Sequence, residues 1–225
     1  LKSTVYSDGR LEGNVRDLII LGAGVHGAEM AEIAERASSA GAPWRLLGFV
    51  VPESHADLVG ETINGHPVLG TRQVLERYPD CCVVPDNEYD EPIDLPRERM
   101  VSLIDPSAFV SRTARIGAGC VIYPHCFVGL GASLGDLVFM LAGVTVNHDD
   151  VLSDRVVVCS GVALAGGVHV DEGCYLGQGC TVRQNLRIGG NSLIGMGAVV
   201  TKDVEPGTVM AGNPARTLRE REGGE

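Results

Sequence analysis

The sequence predicts two unlike parts, a small alternating α/β unit followed by a β-solenoid. Three observations carry this. Across the second half an aliphatic residue recurs at every sixth position. Near the start, a G-x-G-x-x-G turn separates an apolar run from a helical one. The glycines are also uneven, with 20 of the 30 lying from Ile104 onward. At 225 residues, and roughly 100–200 residues per domain, the chain has room for one or two domains with a real core.

The first element is the run Asp17-Leu18-Ile19-Ile20-Leu21, read as a strand. Gly22-Ala23-Gly24-Val25-His26-Gly27 follows as a tight turn, and Ala28 to Ala37 has helical apolar spacing. Trp44 to Val51 reads as a second strand, Thr71 to Tyr78 as a short helix and Cys81 to Val84 as a third strand. That alternation predicts a parallel sheet. The glycine turn has three readings. It can bring a backbone close to a nucleotide or phosphate at a helix N-terminus. It can hold a nicotinamide dinucleotide, although the second strand ends Val50-Val51-Pro52-Glu53 and the sheet is small for that fold. It can also simply pack a helix onto a strand.

In the second half, Ile104, Val110, Ile116, Ile122, Val128, Leu134, Met140, Val146, Leu152 and every sixth residue on to Val200 are aliphatic or Met. Six residues at 100° each would scatter these side chains around a helix, whereas six is a multiple of the strand period and keeps them on one side. A single strand of that length would run about 320 Å, so the chain must turn and stack on itself. Small residues precede many of the aliphatics by two (Cys120, Cys126, Ala132, Cys174, Cys180, Ala198), and glycine often follows (Gly117, Gly129, Gly177, Gly195). Narrow corners are the expected reason. The paired cysteines thus read as buried thiols, and zinc-type C-x-x-C spacing is absent. With coils of 18 residues, as in the hexapeptide-repeat acyltransferases that these hexads resemble, His125, His148 and His169, 23 and 21 apart, would not stack within one chain; bridging between chains stays open, but no metal is expected.

One hexad departs from the pattern. Asn147-His148-Asp149-Asp150 places three polar side chains and then Asp150 in a slot that elsewhere takes a small or aliphatic residue. A local inconsistency inside a regular repeat is where function is expected.

The hexads resemble those of the hexapeptide-repeat acyltransferases, which implies a left-handed parallel β-helix with three hexads per coil. Val146 to Gly167, with His148-Asp149 and Leu164-Ala165-Gly166-Gly167, is similar to the active-site region of the sialic acid O-acetyltransferase and UDP-4-amino-sugar N-acetyltransferase family. The Gly22–Gly27 turn, Gly65-His66-Pro67-Val68-Leu69-Gly70, Asp105-Pro106-Ser107-Ala108 and the ending Gly197 to Ala215 match it as well. The resemblance implies a polar segment 1–16, a Rossmann-like nucleotide-sugar-binding domain 17–103, a β-helix acyltransferase domain 104–217 and a tail 218–225. It assigns His148 as general base, Asp149 as its partner and the Gly166 N–H as oxyanion donor. Gly24, Val25 and His26 fall where the nucleotide sugar is held. Val157, Gln178, Met196 and Lys202 fall where acetyl-CoA binds, in sites shared by neighbouring chains of a homotrimer. Departures are Val157, where a second histidine is expected, and Val51-Pro52, where relatives that read uracil carry an acidic pair.

The expected activity is acetyl transfer from acetyl-CoA to an amino or hydroxyl group of a sugar, with a nucleotide-linked amino sugar or a sialic acid as acceptor. The alternative from another class is a trimeric scaffold or binding protein without transfer chemistry. A net charge of −11 with no basic stripe disfavours nucleic acid. No apolar run is long enough to span a bilayer, and with a polar N-terminus and seven cysteines the expectation is a cytoplasmic protein.

Overall fold

The computed structural model describes residues 15–221. Of the expected N-terminal segment and tail, residues 1–14 and 222–225 lie outside the described residues. The described residues fall into two compact units that part between Pro106 and Ser107.

The α/β unit contains β1 (Arg16–Leu21), α1 (Val25–Ser39), β2 (Trp44–Val51), β3 (Thr62–Ile63), β4 (His66–Thr71) and β5 (Cys82–Pro85). Its sheet runs β3-β4-β2-β1-β5, with β1 parallel to both β2 and β5 and β2 parallel to β4. Leu18, Ile19 and Ile20 of β1 are fully buried, which is why this strand reads as an unbroken apolar run. The helix lays Met30, Ile33, Ala34 and Ala37 inward. From the same helix, Arg36 donates two hydrogen bonds, at 2.8 and 3.0 Å, to the buried carboxylate of Asp105. An antiparallel hairpin that the hydrophobic pattern does not announce joins β3 to β4. Its two-residue turn, Asn64-Gly65, with φ of 47° and 79°, is the sequence signal that marks it. The segment expected as a short helix is a 3₁₀ helix at Arg72–Arg77. Six residues barely nucleate a helix, and Pro79 disfavours helical geometry at Tyr78.

The second unit is a parallel β-solenoid. Two-residue strands recur every six residues to Val199–Val200, and the last residue of each is the expected aliphatic. Strands pair with those 18 residues away, so three faces form. Face one carries Phe109–Val110, Phe127–Val128, Thr145–Val146, Ala163–Leu164 and their successors. Face two carries Ser133–Leu134, Val151–Leu152 and His169–Val170, and face three Phe139–Met140, Val157–Val158 and Tyr175–Leu176. From Ile122 onward the aliphatic column is buried.

The corners follow a rule different from the one expected. Residues two before each aliphatic are a second inward column, as in Cys120, Ala132, Val144, Val156 and Val168, rather than corner residues. The left-handed corner residue lies three after the aliphatic: Gly119, Gly131, Gly143, Gly161, Gly167, Gly173, Gly179 and Gly197, with Asn185 and Asn191 among the replacements. All seven cysteines are free and buried. The thiols of Cys120, Cys126 and Cys174 donate to carbonyls at 3.1, 3.1 and 3.2 Å, and burial pushes Cys174 up to about 11 and Cys180 up to about 12. Cys174 and Cys180 are therefore packing groups rather than nucleophiles.

Candidate active site

The corner between faces one and two carries residues 147–149. Asp149 takes the left-handed position with φ of 60°, and its N–H donates to the Leu130 carbonyl of the preceding coil at 2.9 Å. That conformation turns its carboxylate beside His148, where Oδ2 lies 2.9 Å from Nδ1. Against an ionised carboxylate, which only accepts, Nδ1–H is the donor and Nε2 keeps its lone pair. Both side chains are open to solvent, at 67% and 73% exposure, so a substrate can reach them.

Gly166 sits 18 residues further on, at the same corner of the next coil. The imidazole lies over its α-carbon: a Cβ there would strike His148 Nε2 first and come within 2.5 Å of Cε1 and 3.0 Å of Cδ2. Only glycine leaves the ring its place. The Gly166 N–H donates to no acceptor among the described residues. Its neighbour Gly167 donates to the His148 carbonyl at 3.0 Å and ties the two corners together. This juxtaposition sets an imidazole and an amide N–H without an acceptor on adjacent layers.

Asp150, singled out by its slot, points into the solenoid and is fully buried. It accepts from the Asn147 N–H at 2.7 Å and the Val168 N–H at 2.8 Å. Burial pushes its carboxyl up to about 6, against the opposing pull of those N–H groups and of His148.

Lys202 lies at the same corner as His148, three coils along, and is exposed. Gln178 and Met196 are one coil apart at a different corner, between faces three and one, and Met196 is 79% exposed. Val157 is half-buried on face three. A single chain therefore gathers His148, Asp149 and Gly166 but keeps Val157, Gln178 and Met196 a full face away.

In the α/β unit, Gly24 caps α1 with φ of −72°, Val25 is 75% exposed, and His26 has Glu29 at 3.6 Å and Glu88 at 3.9 Å. Sequence reasoning gave Asp86 no role at the glycine turn. Its buried carboxyl packs directly against Gly22, whose φ is 109°, and burial pushes it up to about 6. Any Cβ on Gly27 would strike the Gly22 carbonyl. Two of the three turn glycines are thus required by packing, whereas a Cβ on Gly24 would meet only the Glu88 carboxylate, at 3.4 Å.

No protein-family model matches the chain, and no curated protein matches it either. Solved structures do. The acetyltransferase domain of PglB from Neisseria gonorrhoeae is 30% identical, with a TM-score of 0.76, over 90% of this chain and 100% of that one. This chain belongs to the hexapeptide-repeat acyltransferase family. GDP-perosamine N-acetyltransferase from Caulobacter crescentus, in a histidine-to-alanine mutant bound to CoA and GDP-perosamine, is 25% identical with a TM-score of 0.80, over 92% of this chain and 98% of that one. WeeI from Acinetobacter baumannii shares the fold at 22% identity and a TM-score of 0.72, over 90% of this chain and all of the other. The solenoid is accordingly of the left-handed β-helix type, and an acetyltransferase rather than a bare scaffold is the class to which this hexapeptide-repeat protein belongs.

Proposed function

We propose that this acyltransferase moves an acetyl group from acetyl-CoA to the amino group of a nucleotide-linked sugar. The observation that carries the reading is the His148–Asp149 pair standing over Gly166 in a fold whose relatives include an acetyltransferase domain solved with acetyl coenzyme A and an N-acetyltransferase solved with GDP-perosamine. As the amine attacks the thioester carbonyl, His148 Nε2 takes its proton. Asp149 holds the reactive tautomer and stabilises the imidazolium. The Gly166 N–H donates to the oxyanion. Attack forms the C–N bond; collapse of the tetrahedral intermediate re-forms the C=O, breaks the C–S bond and returns the proton from His148 to the departing thiolate.

Four finer assignments complete the reading. The protein works as a homotrimer, because Val157, Gln178 and Met196 meet a His148 corner only if a neighbouring copy supplies one of the two surfaces. Lys202, on the His148 edge, meets a coenzyme phosphate. Residues 17–103 form a Rossmann-like domain that holds the nucleotide sugar through Gly24, Val25 and His26, and residues 104–217 form the transferase domain. Buried free thiols suit a reducing compartment, so we place the protein in the cytoplasm. No helix among the described residues is long and apolar enough to cross a membrane.

Purified protein supplied with acetyl-CoA and a panel of GDP- and UDP-linked amino sugars and sialic acids should acetylate at least one nucleotide-linked amino sugar. His148→Ala should lower kcat at least about 10²-fold. Transfer that survives this substitution unchanged removes His148 from the mechanism.

A further inference from the structure

The β-ladder of the solenoid changes hands at one rung. From Ser111 to Arg183, the residue after each inward aliphatic donates its N–H to the carbonyl seventeen residues on: Gly129 to Val146 at 2.8 Å, Leu141 to Val158 at 2.9 Å, Ser153 to Val170 at 2.8 Å and Ala165 to Val182 at 3.0 Å. Asn147 is the exception among the described residues. Its N–H turns inward to Asp150 Oδ2 at 2.7 Å. The Leu164 carbonyl left behind accepts instead from the side-chain amide of Asn147, also at 2.7 Å.

The second oxygen of Asp150 crosses to the next coil. There it accepts from the Val168 N–H at 2.8 Å. At comparable positions elsewhere that N–H closes its own turn, as Val162 does on Cys159 at 3.3 Å and Cys180 on Gly177 at 3.1 Å. Two side chains thus replace one main-chain rung and tie the coil of His148 to the coil of Gly166. Stability does not explain the exchange. Asp150 occupies a fully buried slot that Val138, Val144, Val156 and Val162 fill in nearby coils, and a buried carboxylate is costlier there than an aliphatic group.

The geometry points to Asn147 and Asp150 as a positioning pair that opens the ladder at this rung and sets the corner on which His148 faces Gly166. The inference rests on His148 being the base of the reaction proposed above. Neither residue touches the reacting atoms; both act through the backbone that carries the imidazole. A displacement near 1 Å at such a group is enough to cost about 10²-fold in rate.

The test is Asp150→Val, which installs the side chain of the neighbouring coils and frees the Asn147 N–H to return to Leu164. The expected result is a thermal midpoint equal to or above the parent's, KM values for acetyl-CoA and the sugar nucleotide within about twofold, and kcat lower by about 10- to 100-fold. Asn147→Ala should lose kcat similarly, and the double variant should be no worse than the more affected single one. Asp150→Asn keeps one acceptor oxygen and should retain an intermediate kcat, which keeps the proposal testable if the valine variant fails to fold. A folded Asp150→Val with kcat within about twofold of the parent, or strictly additive losses, overturns the pair. A crystal structure of Asp150→Val without substrates gives a readout independent of activity. A His148 ring displaced from Gly166 supports the pair even if no acceptor sugar is found, and a ring unmoved overturns it.

Discussion

His148 takes its tautomer from the residue beside it and its surroundings from a residue 18 positions away. Gly166 is not required by its own backbone, since its φ lies outside the left-handed region, but by the imidazole packed on its α-carbon. Gly166→Ala should therefore fold with a stability change within about 1 kcal/mol and yet lower kcat at least about tenfold, because the methyl group displaces the ring. Circular dichroism melts alongside steady-state kinetics check both halves. Asp150 adds a pH signature. Its carboxyl titrates near 6 when folded against about 3.9 when unfolded, so between those values the folded chain holds the extra proton. The stability it contributes is complete below about pH 4 and is lost as pH rises through about 6. The stability advantage of Asp150→Val over the parent should widen across that window in urea titrations, and a constant gap counts against the buried charge.

At the scale of the elements, the hexad is legible because strand and corner together repeat with the chain: two residues pair, and the left-handed corner residue comes three after the aliphatic. Corners that depart from glycine carry strain. Leu137 and Arg155 hold φ of 60° and 57°, which is costly for residues with a Cβ. Leu137→Gly should raise stability by roughly 0.5–1 kcal/mol, measured by chemical denaturation, since the relief exceeds the added flexibility of the unfolded chain. Leu164→Ala, in the fully buried column beneath the site, should cost about 2–5 kcal/mol. The α/β unit was less legible. Its hairpin is announced only by Asn64-Gly65, and Thr71–Tyr78 has helical composition but not the length to complete an α-helix.

For the whole molecule, the separation of Val157, Gln178 and Met196 from the His148 corner is the fact with the widest consequence. If the site is shared, sedimentation equilibrium should give three times the 23.7 kDa chain mass. Subunit mixing gives a sharper test. His148→Ala and Met196→Glu should each be nearly inactive alone, yet trimers co-assembled from both should regain up to about a quarter of parental activity, because some interfaces then pair an intact His148 with an intact Met196. Absence of any recovery in demonstrably mixed trimers would place the whole site within one chain.

The sequence by itself determined the solenoid, since a period of six is a property of the chain and survives without knowledge of contacts. It also determined the nearness of His148 to Asp149, which are neighbours; the nearness to Gly166 rests on an 18-residue coil, which the family resemblance implied and the strand pairing shows. Tertiary structure alone decided which way Asp150 points, that Asn147 exchanges its ladder bond, and that Asp86 lies against Gly22. Those outcomes depend on competition among donors and acceptors brought together from different coils or strands, and local sequence carries no record of which partner wins.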